Sequence, residues 1–290
     1  MNSRLTGKAR AAGRVPSPDA FCAFPLLASA SVVGRYCLPD GCGELPHVTR
    51  RIDAFLSVLS PSWTLTESYK RTGSLRLLQY LAARESKASV GVDPFYRRWL
   101  FNGATELAAE RGDLEALRLL MERDLPNEFL TKAVAAAASK GHLHILEWLY
   151  EAHHDRGYWG CTEMCGAMKN HHHDVVAWLR IHAVPREQSS PEVLQAAASA
   201  GYLDVVQWLH KERRVSAAGA LDCAMSGKQW ETAWWILESI DKKRDWLDWT
   251  GAIDDGALPF LKLLLSHKIR HHGHDIITSA AAYGHLEIIE

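Results

Sequence analysis

From about residue 47 onward, apolar positions recur in a unit of 27 to 30 residues, after a longer first interval of 39. Each copy centres on one position, usually glycine, which we call the anchor. The anchors are Gly73, Gly112, Gly141, His171, Gly201, Lys228, Gly256 and Gly284. Bulky apolar residues follow most anchors at offsets of two, five and eight, as in Leu143, Leu146 and Leu149. Because these offsets lie on one face of a helix, the pattern predicts a helix after every anchor.

The residues before each anchor predict a shorter first helix rich in small side chains. Alanine stands four residues before the anchor in seven of the eight copies. Glycine at the anchor suits the left-handed conformation that ends a helix and reverses the chain. Each copy is therefore predicted to be a helix, a tight turn and a second helix. Since one pair cannot bury both of its apolar faces, the copies are predicted to stack into an all-α solenoid.

Composition and periodicity divide the chain into an N-terminal segment and the repeat region. Residues 1–46 hold five of the eleven prolines and show no helical period, which predicts a disordered tail. Residues 47–290 are predicted to form the solenoid, with an amphipathic capping helix over 47–63 and a loop around 85–93. The last copy is cut off at residue 290, from which we expect either a longer natural product or a poorly soluble fragment.

Two targeting interpretations of the first 46 residues remain open. An organelle transit peptide is indicated by an acid-free start that carries Arg4, Lys8, Arg10 and Arg14. A secretory signal is the other, with residues 20–27 as its apolar stretch, although the internal proline and the long lead-in containing Asp19 weaken it.

Charge and cysteine content narrow the class of protein. The 290 residues carry 33 Lys and Arg against 34 Asp and Glu, a net charge of −1, which argues against a protein built to coat nucleic acid or an anionic membrane. The longest charge-free apolar stretch, Ala20 to Gly34, is 15 residues long and too short to span a bilayer. Six unevenly spread cysteines predict a reducing, intracellular setting, the cytoplasm or the nucleus.

The repeated unit resembles the ankyrin repeat, in which small residues precede Gly-His-Leu and a further apolar run. Gly141-His142-Leu143 and Gly284-His285-Leu286 match that motif directly. The usual Thr-Pro-Leu-His opening is absent and the period is short, so we expect the projecting β-hairpins to be reduced to plain loops. Tryptophan seven residues after the anchor makes the chain similar to the divergent ankyrin arrays of lower eukaryotes and giant viruses. The resemblance implies protein binding without catalysis.

Histidine and cysteine clusters offer little support for chemistry. His171, His172 and His173 take repeat positions, and Cys161 and Cys165 have no second cysteine pair at zinc-ligand spacing. No phosphate-binding loop, nucleophile elbow or dinucleotide fingerprint occurs. We therefore predict no catalytic residue, no cofactor and no metal. The tryptophans at the seventh offset, Trp148, Trp178, Trp208 and Trp235, are predicted to lie between neighbouring second helices.

Basic and aromatic residues outside that register gather in the connections between copies, where a solenoid presents its variable surface. Such charges are often merely solvated, but Trp, Tyr and Arg are also the residue types that dominate protein interfaces. The predicted partner-binding candidates are Arg156, Tyr158, Trp159, Arg186, Lys211, Arg213, Arg214, Trp246, Trp249 and Arg270.

The leading hypothesis is a non-enzymatic, monomeric scaffold that binds a protein partner through loop tips and the exposed face of the first helices, with no nucleic-acid or membrane partner. A second hypothesis makes the chain a regulatory or targeting module of a longer enzyme whose catalytic domain lies beyond residue 290. A third is a nucleic-acid binder that uses the arginines of the connections.

Overall fold

A computed structural model describes residues 28–37, 47–48, 51–53, 64–88, 93–123, 130–241, 244–271 and 276–289. The chain divides into two compact units, Met1–Phe101 and Asn102–Glu290. The described part is mostly helical, and its strand content is a single pair of two-residue segments. These observations confirm the all-α class.

The first unit is organised around the pair of helices Leu65–Thr72 and Leu75–Ala88, which contact each other. The first of them begins after Thr64, whose side chain accepts a hydrogen bond from the Glu67 N–H at 3.2 Å. The hydroxyl of Thr66 donates to the Leu100 carbonyl at 2.7 Å, which ties this pair to the start of helix Pro94–Arg111.

Residues 51–53 of the predicted capping helix are helical, and Asp53 is buried where the Tyr80 hydroxyl donates to its carboxylate at 3.0 Å. Residues 47–48 of that predicted helix are also helical, and residues 49–50 and 54–63 lie outside the described residues.

Two sequence predictions are corrected in this unit. A helix covers Ala28–Tyr36, inside the segment expected to be a disordered tail, and it buries Ala30 completely. This stretch falls between Pro25 and Pro39 and contains no proline, so nothing in it blocks helical hydrogen bonding. The loop expected around 85–93 is shorter than predicted, because the second helix of the pair continues to Ala88 and the next helix already begins at Pro94.

The second unit consists of helix pairs that follow the predicted repeat. The first helices of the pairs are Pro94–Arg111, which enters this unit at Asn102, Thr131–Ser139, Thr162–Lys169, Ser190–Ala200, Ala220–Ser226, Thr250–Asp254 and Ile276–Tyr283. The second helices are Leu114–Arg123, Leu143–His153, His173–His182, Leu203–Lys211, Trp230–Ser239, Leu258–Ser266 and Leu286–Ile289. From Thr131–Ser139 onward every first helix contacts the next one, so the first helices form one continuous row.

All eight anchors adopt the left-handed conformation, with φ between 58° at Lys228 and 81° at Gly201. This confirms the predicted turn even where the anchor is His171 or Lys228, although a side chain is disfavoured in that region by about 1–2 kcal/mol.

A second reason favours glycine at the anchor. In several copies, the side chain that follows the next anchor lies directly over the anchor and leaves no space for a Cβ. The ring of His172 covers Gly141, where an added Cβ would lie 2.6 Å from its Nδ1, and its Nε2 lies 3.1 Å from the Ser139 carbonyl oxygen. His142 and His285 cover Gly112 and Gly256 in the same way.

The two copies without an anchor glycine lack this arrangement. His171 is stacked by Tyr202, with ring centroids 6.3 Å apart, and the copy after Lys228 carries the small Ala257 at the corresponding position. Histidine therefore covers the anchor of the preceding copy at three of the glycine anchors, and a different residue takes its place where the anchor has a side chain.

The connections between the pairs are short and irregular. His154–Arg156 forms one 3-10 turn, and Trp246–Leu247 pairs in parallel with Arg270–His271. These two strands belong to successive connections, so they do not form a hairpin. Among the described connections no β-hairpin finger occurs, which agrees with the plain loops that the sequence predicts.

The four tryptophans at the seventh offset lie between neighbouring second helices, as predicted. Trp148 lies under Arg118, Trp208 under Arg180 and Trp235 under Lys211, with the cation 5.3–5.6 Å from the ring centroid. Trp178 meets the Tyr150 ring edge-on at 5.4 Å. Each indole is thus held by a cation or a ring of the preceding second helix.

Candidate partner-binding surface

The candidate site is the set of connections that join one pair to the next in the second unit. We define the connection surface as residues 154–161, 183–189, 211–219, 244–249 and 267–271. Seven of the ten candidates are exposed, and these are Tyr158, Arg186, Lys211, Arg213, Arg214, Trp246 and Arg270. Arg156 is half-buried, and Trp159 and Trp249 are buried. Seven candidates therefore lie where a partner could contact them, whereas the two buried tryptophans do not.

Trp159 is a structural residue, which corrects its assignment as a partner contact. It is 8% exposed, its ring meets Tyr150 edge-on at 5.4 Å and stacks on His154 at 6.1 Å, and its indole N–H donates to the His154 carbonyl at 3.1 Å. Trp178 also lies near it, with ring centroids 6.3 Å apart. The connection folds back onto the ends of two second helices, so its tryptophan faces inward.

Trp249 is corrected for the same reason. It is 4% exposed, its ring lies 5.5 Å from that of His271, and its backbone N–H donates to His271 Nδ1 at 3.3 Å. The parallel strand pair brings the two connections together over this indole. Trp246, three residues earlier, stays 55% exposed with Arg244 at 6.0 Å from its ring centroid.

The cations of the connection surface differ in how far the protein already satisfies them. Arg156 lies 3.4 Å from His153 Nδ1, Arg270 pairs with Asp245 at 3.3 Å, and Lys211 covers the Trp235 ring. Arg186 lies 4.5 Å from the Tyr158 ring centroid, and both side chains are exposed. This exposed cation–aromatic pair has the residue types that dominate protein interfaces.

Arg213 and Arg214 line a cavity of about 440 Å³ between two successive connections, which we call the connection cavity. Its other lining residues are Glu187, Ser190, Pro191, Glu212, Val215 and Ser216. No ion pair within 4.0 Å joins either arginine to another described residue. The cavity thus places two unneutralised guanidinium groups beside two hydroxyls and two carboxylates.

Sequence reasoning missed Glu187, Glu212, Ser190 and Ser216, because the cavity joins two connections about 25 residues apart. It also missed an exposed aromatic group in the first unit, where Phe95, Tyr96 and Trp99 lie on the first turns of one helix and the last two stack at 6.1 Å. The signal was visible in the sequence, because Trp99 follows Phe95 by four residues and Tyr96 by three, the spacings that bring helical side chains together.

The first helices carry both small and larger residues at their half-buried positions. Small ones include Ala135, Ala136, Gly166 and Ala196, and larger ones include Gln195 and Met225. Because binding hot spots are enriched in Trp, Tyr and Arg, which the connections expose, the connections are the better candidates.

The thiols are poorly suited to nucleophilic chemistry. Burial, with the nearby charges of Cys161 and Glu192, raises the pKa of Cys165 to about 12, and burial followed by its contact with Glu192 raises that of Cys161. A protonated thiol is a weak nucleophile. Within the described ranges, no three His, Cys, Asp or Glu side chains come together as a possible metal site.

Glu163 is a buried carboxyl, 1% exposed, that accepts a hydrogen bond from the Gly160 N–H at the start of helix Thr162–Lys169. Burial raises its pKa above the ordinary value. Its contribution to stability is present below the unfolded pKa of about 4.3 and is lost as pH rises through the folded pKa.

Glu163→Gln keeps the acceptor oxygen and cannot ionise. We therefore expect the variant to have a higher Tm than the wild type at pH 8 and the same Tm at pH 4, as measured by thermal circular dichroism. Parallel pH profiles of the two proteins would contradict this assignment.

No protein-family model matches the chain, and no curated protein is significantly similar to it. Within the part of the chain that the structure describes, no helix is both long and apolar enough to cross a membrane.

Proposed function

We propose that this protein is a non-enzymatic binding scaffold, in which the repeats of the Asn102–Glu290 unit form a divergent ankyrin-like solenoid and the connection surface holds a partner protein. The continuous row of first helices supports the solenoid, because each pair then buries the face that its neighbour leaves open. Two observations support the ankyrin type. The repeat contains Gly-His-Leu sequences that resemble the ankyrin motif, and His142, His172 and His285 lie over the anchor glycines of the preceding copies.

The observation that carries the proposed function is the exposure of unneutralised cations and an aromatic ring on adjacent connections. Arg186 with Tyr158, and Arg213 with Arg214, lie on connections that follow one another along the unit. Other cations of the same unit are already engaged, such as Arg244 with Asp222 and Asp241 at 2.8 and 3.1 Å. Charges left without an internal partner are available to an external one.

The thiols support a non-catalytic role in a reducing compartment. The described cysteines Cys37, Cys161, Cys165 and Cys223 are all free, as expected in the cytoplasm or the nucleus, where we place the protein. The raised pKa of Cys165 argues against a thiolate nucleophile.

Affinity capture with the full chain tests this function. The test variant combines Tyr158→Ser, Arg186→Gln, Arg213→Gln and Arg214→Gly. The control combines Trp234→Ser, Lys140→Gln, Lys169→Gln and Lys262→Gln, which removes as many exposed cations and one aromatic ring away from the connection surface. We expect mass spectrometry to find proteins that the wild type and the control retain and the test variant loses.

Equal retention by the test variant, with unchanged circular dichroism and Tm, would remove the connection surface from the proposal. If the wild type retained no protein above a bead control, the scaffold function itself would be wrong.

A further inference from the structure

We propose that the connection cavity binds an acidic peptide segment of the partner protein, with an Asp or Glu side chain seated between Arg213 and Arg214. This inference rests on the proposed scaffold function and adds the chemistry of the partner and the place where it docks.

The size and lining of the cavity fit one acidic side chain with part of its backbone. Its volume of about 440 Å³ lies within the range of small-ligand sites. A guanidinium presents N–H donors in a planar fork that matches a carboxylate, and the hydroxyl of Ser216 adds a further hydrogen-bond donor in the same lining. The hydroxyl of the buried Ser190 already donates to the Arg186 carbonyl at 2.7 Å. Pro191 and Val215 supply apolar surface for the backbone of the bound segment.

The charges around the cavity select a peptide over a densely anionic ligand. The lining of the cavity holds two arginines and two glutamates, and the adjacent Lys211 leaves a local excess of one positive charge. The carboxylates of Glu187 and Glu212 face the same space, so a phosphate backbone would meet repulsion as well as attraction. A segment with one or two acidic residues satisfies the arginines while its amide N–H groups meet the glutamates.

No described residue forms an ion pair with Arg213 or Arg214, in contrast with cations elsewhere in the unit. Arg180 pairs with Asp204 at 3.5 Å and Lys228 with Asp255 at 2.6 Å, whereas Glu187 and Glu212 share a cavity with Arg213 and Arg214 without approaching either within 4.0 Å. A ligand carboxylate therefore does not have to displace an internal partner.

The backbone at Arg214 provides a variant that removes the charge without harming the fold. Arg214 has φ 55° where helix Leu203–Lys211 ends, and the Val215 N–H closes that end on the Leu209 carbonyl at 3.1 Å. Glycine adopts this left-handed backbone conformation at a lower free-energy cost than arginine.

Lys268 has the same φ of 55° after helix Leu258–Ser266, and the Ile269 N–H donates to the Leu264 carbonyl at 3.1 Å. Arg214→Gly and Lys268→Gly are therefore matched changes of charge and backbone, and only the first lies in the cavity.

The experiment selects ligands for the full chain from a phage-displayed library of random 12-residue peptides. The best peptide is then measured by fluorescence anisotropy against the wild type, Arg214→Gly and Lys268→Gly. We expect selected peptides enriched in Asp and Glu, with binding weakened about tenfold or more by Arg214→Gly and unchanged by Lys268→Gly. The Asn or Gln analogue of the peptide should lose a similar factor with the wild type and a smaller factor with Arg214→Gly, in which Arg213 remains.

Three results would overturn the inference. Selected peptides without acidic enrichment, or equal binding to the two glycine variants, would leave the scaffold function standing with a different docking place. A library that yields no ligand would also reject a peptide site, and the capture experiment would then decide the scaffold function separately.

Discussion

Replacing Gly227 by alanine should lower the free energy of unfolding by about 2–3 kcal/mol, because the added Cβ has no space. Gly227 ends helix Ala220–Ser226 with φ −81°, a conformation that alanine adopts freely, so no backbone strain is involved. The obstacle is the neighbouring first helix, since a Cβ at this position would lie 2.0 Å from the Ser199 carbonyl oxygen. Backbone cannot rotate away as a side chain can, and the two first helices would have to separate.

Gly251→Ala is the matched control for this effect. Gly251 belongs to helix Thr250–Asp254, where an added Cβ would meet only the Trp230 ring at an ordinary 3.7 Å. The control should be stabilising by up to about 1 kcal/mol, because alanine favours the helix over glycine. Urea unfolding of the full chain, followed by circular dichroism, measures both changes. A Gly227→Ala variant as stable as the wild type would mean that the two first helices do not approach as closely as described.

The repeat could be read from the sequence because each helical face is encoded locally. Leu143, Leu146 and Leu149 lie on one face whatever surrounds them, and an anchor must turn left-handed to join its two helices. The anchors His171 and Lys228 show that position in the repeat is stronger evidence than residue type, since both adopt the conformation usually reserved for glycine.

The burial of the connection residues could not be read in this way. Whether Trp159 or Tyr158 faces the solvent depends on where the two second helices that carry Tyr150 and Trp178 lie, because Trp159 packs against both rings. Trp249 likewise packs against His271 of the following connection, whereas Trp246 stays exposed although its backbone pairs with Arg270. The order of polar and apolar residues within a connection does not indicate which side chain will pack inward.

The pairing of the cations was also hidden, because it joins different repeats. Arg244 is neutralised by Asp222, which lies 22 residues earlier, while no described carboxylate lies within 4.0 Å of Arg213 or Arg214. One relation was visible in principle. One copy after the anchors His171 and Lys228, the residue that follows the anchor is Tyr202 or Ala257, whereas one copy after four of the glycine anchors it is His142, His172, Gln229 or His285.

The second large effect is expected at Trp159. Trp159→Ala should lower the free energy of unfolding by about 3–5 kcal/mol, the usual cost of truncating a buried aromatic residue. The loss combines the ring contacts with Tyr150 and His154 and the hydrogen bond of the indole to the His154 carbonyl. Trp159→Phe retains most of the ring and loses the hydrogen bond, so its cost should be smaller, about 1–2 kcal/mol.

Trp246→Ala separates this structural role from a binding role, since Trp246 is 55% exposed and its removal should change stability by no more than about 0.5 kcal/mol. Partner capture by Trp246→Ala then reports on the connection surface alone, whereas capture by Trp159→Ala falls with the folded fraction. If Trp159→Ala proved as stable as Trp246→Ala, the inward-facing connection would be wrong and Trp159 would return to the list of partner contacts. The same measurement thus decides which aromatic residues of the connections are available to a partner.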